Sequence, residues 1–261
     1  MRNSILLSVL AGLLLLVGCQ NEHKKFDPAN SNILKHRYWV SQEFADALFA
    51  DNVADTLGRI SCTELIFQDS GRMVLTYCLS DAGAGTYAAT DPNTIDISIE
   101  GYEGRTFKAV LNEKTGVLTL KAPELNEGNL LYFKAYDLVA DTDLYSGSIA
   151  LACQRIAGSY SIQAQEGMVA PTVMVEFGAD GSLKGLGGYS NFMPLPAGIG
   201  SDAVSDKKNL MYLSNIANEE ERAFAWQLRG DTLRLWETQD LYPDEMPEYK
   251  ITKLMGVFVK R

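Results

Sequence analysis

Apolar and polar positions alternate in short runs along most of this chain, and each run ends at a turn residue. That period of two predicts half-buried antiparallel strands. In "CTELIFQDSGRMVLTYC" (62–78), Asp69-Ser70-Gly71 forms a three-residue hairpin loop if Gly71 takes the left-handed conformation. Phe67 then faces Met73, Leu65 faces Leu75 and Thr63 faces Tyr77. The opposite face pairs Ile66 with Val74, Glu64 with Thr76 and Cys62 with Cys78. A slip of one residue would scramble every pair. Directly opposed Cβ atoms lie within bridging reach, so the register predicts a Cys62–Cys78 disulfide. One helix is predicted in "SQEFADALFA" (41–50), with Ser41 as N-cap and Phe44 and Leu48 on one side.

The pattern then recurs. "VMVEFGADGSLKGL" (173–186) repeats the first hairpin around Ala179-Asp180-Gly181, setting Phe177 against Leu183, Val175 against Gly185 and Glu176 against Lys184. "TFKAVLNEKTGVLTL" (106–120) is repeated by "AFAWQLRGDTLRLW" (223–236), and "DPNTIDISI" (91–99) by "DKKNLMYLS" (206–214). Closing strands "LYFKAY" (131–136) and "EYKITKL" (248–254) end the two halves, and Trp39 and Tyr160 open them. The offset is roughly 110 residues, which implies two copies of one fold. The expected domains are 33–139 and 154–261, joined by a linker over 140–153 rich in small and polar residues. Many short strands in ~100-residue repeats predict an all-β chain of two small antiparallel barrels in tandem, with one short helix in the first.

Each repeat resembles the lipocalin-like (calycin) barrels of Gram-negative envelope lipoproteins. "FGADGSLKGLGGYSNF" (177–192) also resembles the META domain, in which a Gly-rich strand follows the first hairpin. The resemblance implies a non-catalytic binding protein of the cell envelope.

The N-terminus is of a different kind. An apolar run from Ile5 to Val17 follows Arg2. It is shorter than the ~20 residues a membrane-crossing helix needs, and so reads as a secretory signal over 1–18. Leu16-Val17-Gly18-Cys19 resembles the bacterial lipobox, which implies cleavage before Cys19 and acylation of its thiol, a palmitate-type modification. Several acyl chains on Cys19 would anchor the protein permanently, whereas one holds only marginally. Residues 19–32 read as a flexible tether. Gln20 follows the cysteine where some bacteria use aspartate to retain lipoproteins at the inner membrane, so the expected location is the outer membrane.

The formal net charge is −10, and one unit more negative once Arg2 leaves with the signal. Acidic balance without a Lys/Arg cluster argues against nucleic acid as a partner, and against the chain lying flat on an anionic membrane surface. No zinc spacing appears among the four cysteines, and no metal or cofactor is expected.

Catalytic chemistry finds little support. The only histidines are His23, in the tether, and His36. No Gly-x-Ser-x-Gly or His-Glu-x-x-His motif occurs. "NEEER" (218–222) reads as a solvated loop, and Arg229-Gly230-Asp231 as a hairpin turn. Asp141-Thr142-Asp143 lacks the fifth and sixth positions of a calcium loop, which Tyr145 and Ser146 occupy. The richest stretch is "KGLGGYSNFMPLPAGIG" (184–200). On the strand register Gly185 and Gly187 fall on the core face, opposite Val173 and Val175. Two missing side chains there would open a pocket edged by Tyr189, Phe192 and Trp226, with 191–200 as its lid. The contrary expectation is that another side chain fills the space, because interiors rarely keep holes. Trp236 falls opposite Ala225 on the outward face, where it suits a contact surface, either against the first domain or, as the lesser expectation, for an external partner. These residues imply a small apolar or amphipathic ligand in the second barrel. The alternative is a protein–protein interaction module, an inhibitor or envelope assembly accessory with an envelope protein as partner.

Overall fold

The computed structural model describes residues 26–47, 62–76, 82–123, 130–136, 146–163, 174–195, 209–215, 217, 220–242 and 248–261. The signal segment 1–18, Cys19, Cys78 and Val173 lie outside the described residues.

The first half is a closed eight-stranded antiparallel barrel. Its strands are β1 (Tyr38–Ser41), β2 (Glu64–Phe67), β3 (Arg72–Thr76), β4 (Ala82–Asp91), β5 (Thr94–Ile99), β6 (Phe107–Asn112), β7 (Val117–Lys121) and β8 (Leu130–Ala135), each paired with the next. β8 returns to β1, pairing Trp39 with Ala135. The hairpin register holds: Phe67 pairs with Met73, Leu65 with Leu75, Ile66 with Val74 and Glu64 with Thr76. Gly71 has φ +76°, as that loop requires, and Ser70 beside it has φ +66°. Alternation fills the interior, so Ile95, Ile97 and Ile99 all point inward from β5. Helix α1 (Gln42–Ala47) follows β1, and the Ser41 hydroxyl accepts from the Phe44 N–H at 3.4 Å.

The second half repeats this order. Its strands are β9 (Gly158–Ile162), β10 (Met174–Phe177), β11 (Leu183–Lys184), β12 (Asn191–Leu195), β13 (Asn209–Asn215), β14 (Glu220–Arg229), β15 (Thr232–Asp240) and β16 (Tyr249–Lys260). They form one sheet in the order β11-β10-β9-β16-β15-β14-β13-β12, which is the cyclic order of the first barrel. β11 and β12 meet at a single bridge, Ser182 to Asn191. Two backbone bonds flank it: Leu183 N–H donates to the Ser190 carbonyl and Phe192 N–H to the Gly181 carbonyl, both at 2.8 Å. The turn at Gly230-Asp231 sets Arg229 against Thr232 and Ala225 against Trp236, as the register predicts.

Two expectations are corrected. The segment expected as a linker over 140–153 holds part of a helix, α2 (Ser146–Ile156). Ile149, Ala152, Cys153 and Ile156 recur at i, i+3, i+4 and i+7, so the helix has an apolar face to bury. Leu151, Ala152, Cys153 and Ile156 join the buried interior of the second barrel, and Val40, Phe44, Ala45 and Ala47 of the first half belong to the same cluster. At the helix start, the fully buried Glu64 carboxylate accepts from the Ser148 N–H at 2.9 Å and the Ser148 hydroxyl at 3.1 Å. A Cβ on Gly147 would sit 2.5 Å from that carboxylate and 2.9 Å from Val40, so only glycine fits. Secondly, the strand after the second hairpin does not run through Gly185 and Gly187. It ends at Lys184, and Gly185, Gly187 and Gly188 take φ of +81°, +56° and +89° as turn residues.

Candidate functional site

That turn decides what the second barrel can hold. Left-handed backbone at Gly185 breaks the alternation, and Leu186 swings into the interior. The space expected beside Val175 is therefore filled. Val175, Phe192 and Trp226, expected as pocket walls, are all buried core residues packed in one cluster with Leu186. Phe177 stands at its centre, with edge-to-face contacts to Tyr160 (5.4 Å), Phe192 (5.0 Å) and Phe258 (6.3 Å). The Trp226 indole N–H donates to the Leu210 carbonyl at 2.8 Å. The expected lid, 191–200, begins as strand β12 and pairs with β13 along its described length.

Cys62 is buried, with its Sγ 3.8 Å from the Glu64 carbonyl. Cys78 is not among the described residues, so the expected bridge falls outside them. Cys153 is a free, buried thiol whose pKa burial pushes up to about 12, with Asp180 adding to the shift.

The chain does form a cleft, at a place the sequence did not point to. A cavity of about 520 Å³ lies across the ends of β13 to β16. Tyr189, Phe224 and Met255 reach it from the interior side; Tyr212, Ala223 and Tyr249 reach it from a smaller cluster on the outward face. Two local features shape it. The glycine turn delivers Tyr189, whose ring meets Phe224 edge-on at 5.9 Å. The β15–β16 ladder shifts register between Leu235 and Trp236 and again between Glu237 and Thr238, leaving Met255 as an extra residue beside the cleft. Bulges of this kind bend a strand and re-aim its side chains.

No family model, curated protein or solved structure matches the chain. The site is accordingly read from its own chemistry.

Among the described residues, Glu221, Glu237 and Asp240 line the cleft with one cation, Arg222, which already pairs with Glu220 at 3.0 Å. Carboxylates are in surplus, against three tyrosine rings. The Tyr212 and Tyr249 hydroxyls lie 3.2 Å apart. Burial raises the Tyr212 pKa above its usual value, and the bond to Tyr249 and the charges of Glu221 and Asp240 add to this. Burial also raises Tyr189, opposed by Arg222 and reinforced by Glu220 and Glu237. Both phenols therefore stay neutral over the physiological range.

Of the expected residues, only Tyr189 lines this cleft. Trp236 is half-buried in the outward cluster that supplies Tyr212 and Tyr249, so it backs the site without lining it. One signal for the missed residues stood in β13, "NLMYLSN", where both faces are apolar. Leu210 points outward there and is 1% exposed, the mark of a covered outer face.

Proposed function

We propose that this chain is a non-catalytic envelope lipoprotein, anchored through Cys19 to the outer membrane. In this reading it binds a small amphipathic ligand with a cationic end in the cleft of Tyr189, Tyr212 and Tyr249. The observation that carries the reading is three tyrosine rings and three surplus carboxylates around one cavity, next to a core in which Leu186, Phe192 and Trp226 pack against Val175. Organic cations favour aromatic faces by about 0.5–2 kcal/mol, and the carboxylates add attraction without a covalent step. The lipid anchor rests on Gly18-Cys19 behind the apolar run.

Calorimetry with dodecyltrimethylammonium below its micelle concentration tests the site, with dodecyl maltoside as neutral control. The cation is expected to bind about tenfold tighter than the neutral chain, and Glu237→Gln with Tyr212→Ala to abolish the difference. Equal binding of the two amphiphiles, or a preference that survives both substitutions, overturns it. Mass measurement of the N-terminal peptide from envelope fractions tests the anchor, with acylated Cys19 as the expected species.

A second reading, a protein-interaction module, draws on the packed interior and on Leu241 and Tyr242. These are 38% and 50% exposed directly beyond the cleft residue Asp240. Under it, cross-linking from position 242 in envelope preparations captures one discrete protein, and Tyr242→Ser removes that product.

A further inference from the structure

The outward face of β6, β7 and β8 carries three large exposed apolar side chains, Val110, Leu130 and Tyr132, at 42%, 43% and 47% exposure. Register sets them in rows. Val110 pairs with Thr119, and Thr119 with Tyr132; Lys108 pairs with Lys121, and Lys121 with Leu130; Val117 pairs with Lys134. Val110, Tyr132 and Leu130 thus alternate with Lys108, Lys121 and Lys134, all three exposed. The one acid in these rows, Asp96, stands at the edge beside Lys108. A chain of net charge −10 therefore holds a positive, partly apolar sheet face on its first barrel. Among the described residues the second barrel docks through Val40, α1 and the Glu64–Ser148 contact, and Val110, Leu130 and Tyr132 stay exposed beside that junction.

The N-terminus fixes where this face stands. The Asn32 N–H donates to the Pro92 carbonyl at 2.6 Å, and its side-chain amide to Glu113 at 2.7 Å. The chain thus enters at the β4–β5 and β6–β7 turns, the end of the barrel where Val117 and Lys134 sit. Between Cys19 and Phe26, the first described residue, the chain can span at most about 25 Å. With acyl chains on Cys19, the start of the described chain stays within about 25 Å of the membrane surface.

We propose that the β6–β8 face of the first barrel rests on the anionic headgroups of the membrane that holds the anchor. The three lysines meet the lipid phosphates, and Tyr132, Val110 and Leu130 settle at the headgroup boundary, where an aromatic ring with a polar tip is favoured. The placement rests on the reading of Cys19 as acylated, but the face can be tested without the anchor.

The test uses the chain from Gln20 onward, which keeps every described residue and lacks the acylated one. It is co-sedimented with vesicles of phosphatidylcholine alone or with phosphatidylglycerol added. Binding is expected only to the anionic vesicles, weakening as ionic strength rises. Lys108→Glu/Lys121→Glu/Lys134→Glu is expected to lower it about tenfold or more. Lys250→Glu/Lys253→Glu/Arg261→Glu makes the same change of net charge on the second barrel and is expected to leave binding unchanged. Unchanged melting of both variants confirms that they fold. Equal binding to neutral vesicles, or equal loss from both variants, overturns the proposal. So does a dimer of the parent chain that the first variant dissociates, since the face would then join two copies. The anchor is judged separately by the mass of the Cys19 peptide. Unmodified Cys19 with charge-dependent vesicle binding removes the anchor and leaves the face; acylated Cys19 without such binding removes the face alone.

Discussion

The two barrels follow one strand order but close it differently. In the first, β3 and β4 zip together over five residue pairs, from Arg72 with Thr86 to Thr76 with Ala82. In the second, the corresponding strands touch at one bridge, and the chain between them is a glycine turn. Gly85 of that ladder faces Met73 on one side and is crowded by β5 on the other, where a Cβ would lie 2.6 Å from the Ser98 carbonyl. The short seam of the second frees its chain to leave the sheet at Gly185, drop Leu186 into the core and carry Tyr189 to the cleft. Weakening one seam of a duplicated fold is thus a way to obtain a site without emptying the barrel.

The largest expected effect comes from the core that both halves share. Trp226→Ala should cost about 3–5 kcal/mol, from lost burial and the cavity left behind. Because Val40 and Phe44 belong to the same cluster, urea unfolding should remain a single transition at a lower midpoint. Two separated transitions would break the picture of barrels welded into one unit.

Next comes the weld itself. Glu64→Ala removes the carboxylate that accepts both Ser148 donors in a buried place, with an expected loss of about 2–4 kcal/mol. Gly147→Ala should mimic part of it, because the added methyl group displaces the same carboxylate. A Glu64→Ala chain with unaltered melting would mean that α2 is held by its apolar face alone.

The seams compare directly through their glycines. Gly181 has φ +82°, and a Cβ there would lie 3.0 Å from the Phe192 carbonyl. Gly181→Ala should cost about 1–2 kcal/mol and speed amide exchange at Leu183 and Phe192, the two donors across the bridge. Gly85→Ala should cost a similar amount but leave exchange in the first barrel slow, since a five-pair ladder opens less readily than a single bridge. Equal exchange in both barrels would erase the contrast.

Alkali gives the smallest effect at ordinary pH. Burial pushes Tyr160 up to about 12, with Asp231 adding, while its hydroxyl donates to the Ile156 carbonyl at 2.5 Å. Tyr189 and Tyr212 are raised as well. Burial disfavours the phenolate in the folded chain, so ionisation of these phenols favours unfolding. Stability should therefore be flat below pH ~10, where the unfolded phenols are still neutral, and fall as pH rises from there through about 12. Fluorescence of Trp226 and Trp39 against pH checks this, and an earlier fall below pH 9 would contradict it.

Much of this fold was legible in the sequence because its hairpins carry their register in side chains. The loop at Gly71, the turn at Gly230-Asp231 and the pairing of Ala225 with Trp236 all follow from alternation alone. Alternation fails where residues have no side chain to count. Gly185, Gly187 and Gly188 were compatible with a strand facing either way, and only the chain path shows them as a turn. α2 was hidden for a related reason: its two serines, glycine and two alanines resemble a linker, and its apolar period shows only once Ile149 and Ile156 are aligned. The cleft was the least legible part. It gathers residues from four strands and from both faces of the sheet, a meeting that no local pattern encodes.

The Glu64–Ser148 contact joins positions 84 residues apart. The acceptor belongs to the second strand of the first half, and the donors belong to the helix that opens the second. A chain that emerges N-terminus first therefore presents a finished strand with a waiting carboxylate before the helix is delivered. The helix then has a template on which to nucleate, and the later half assembles against the earlier one. Synthesis and folding run in the same direction along this molecule.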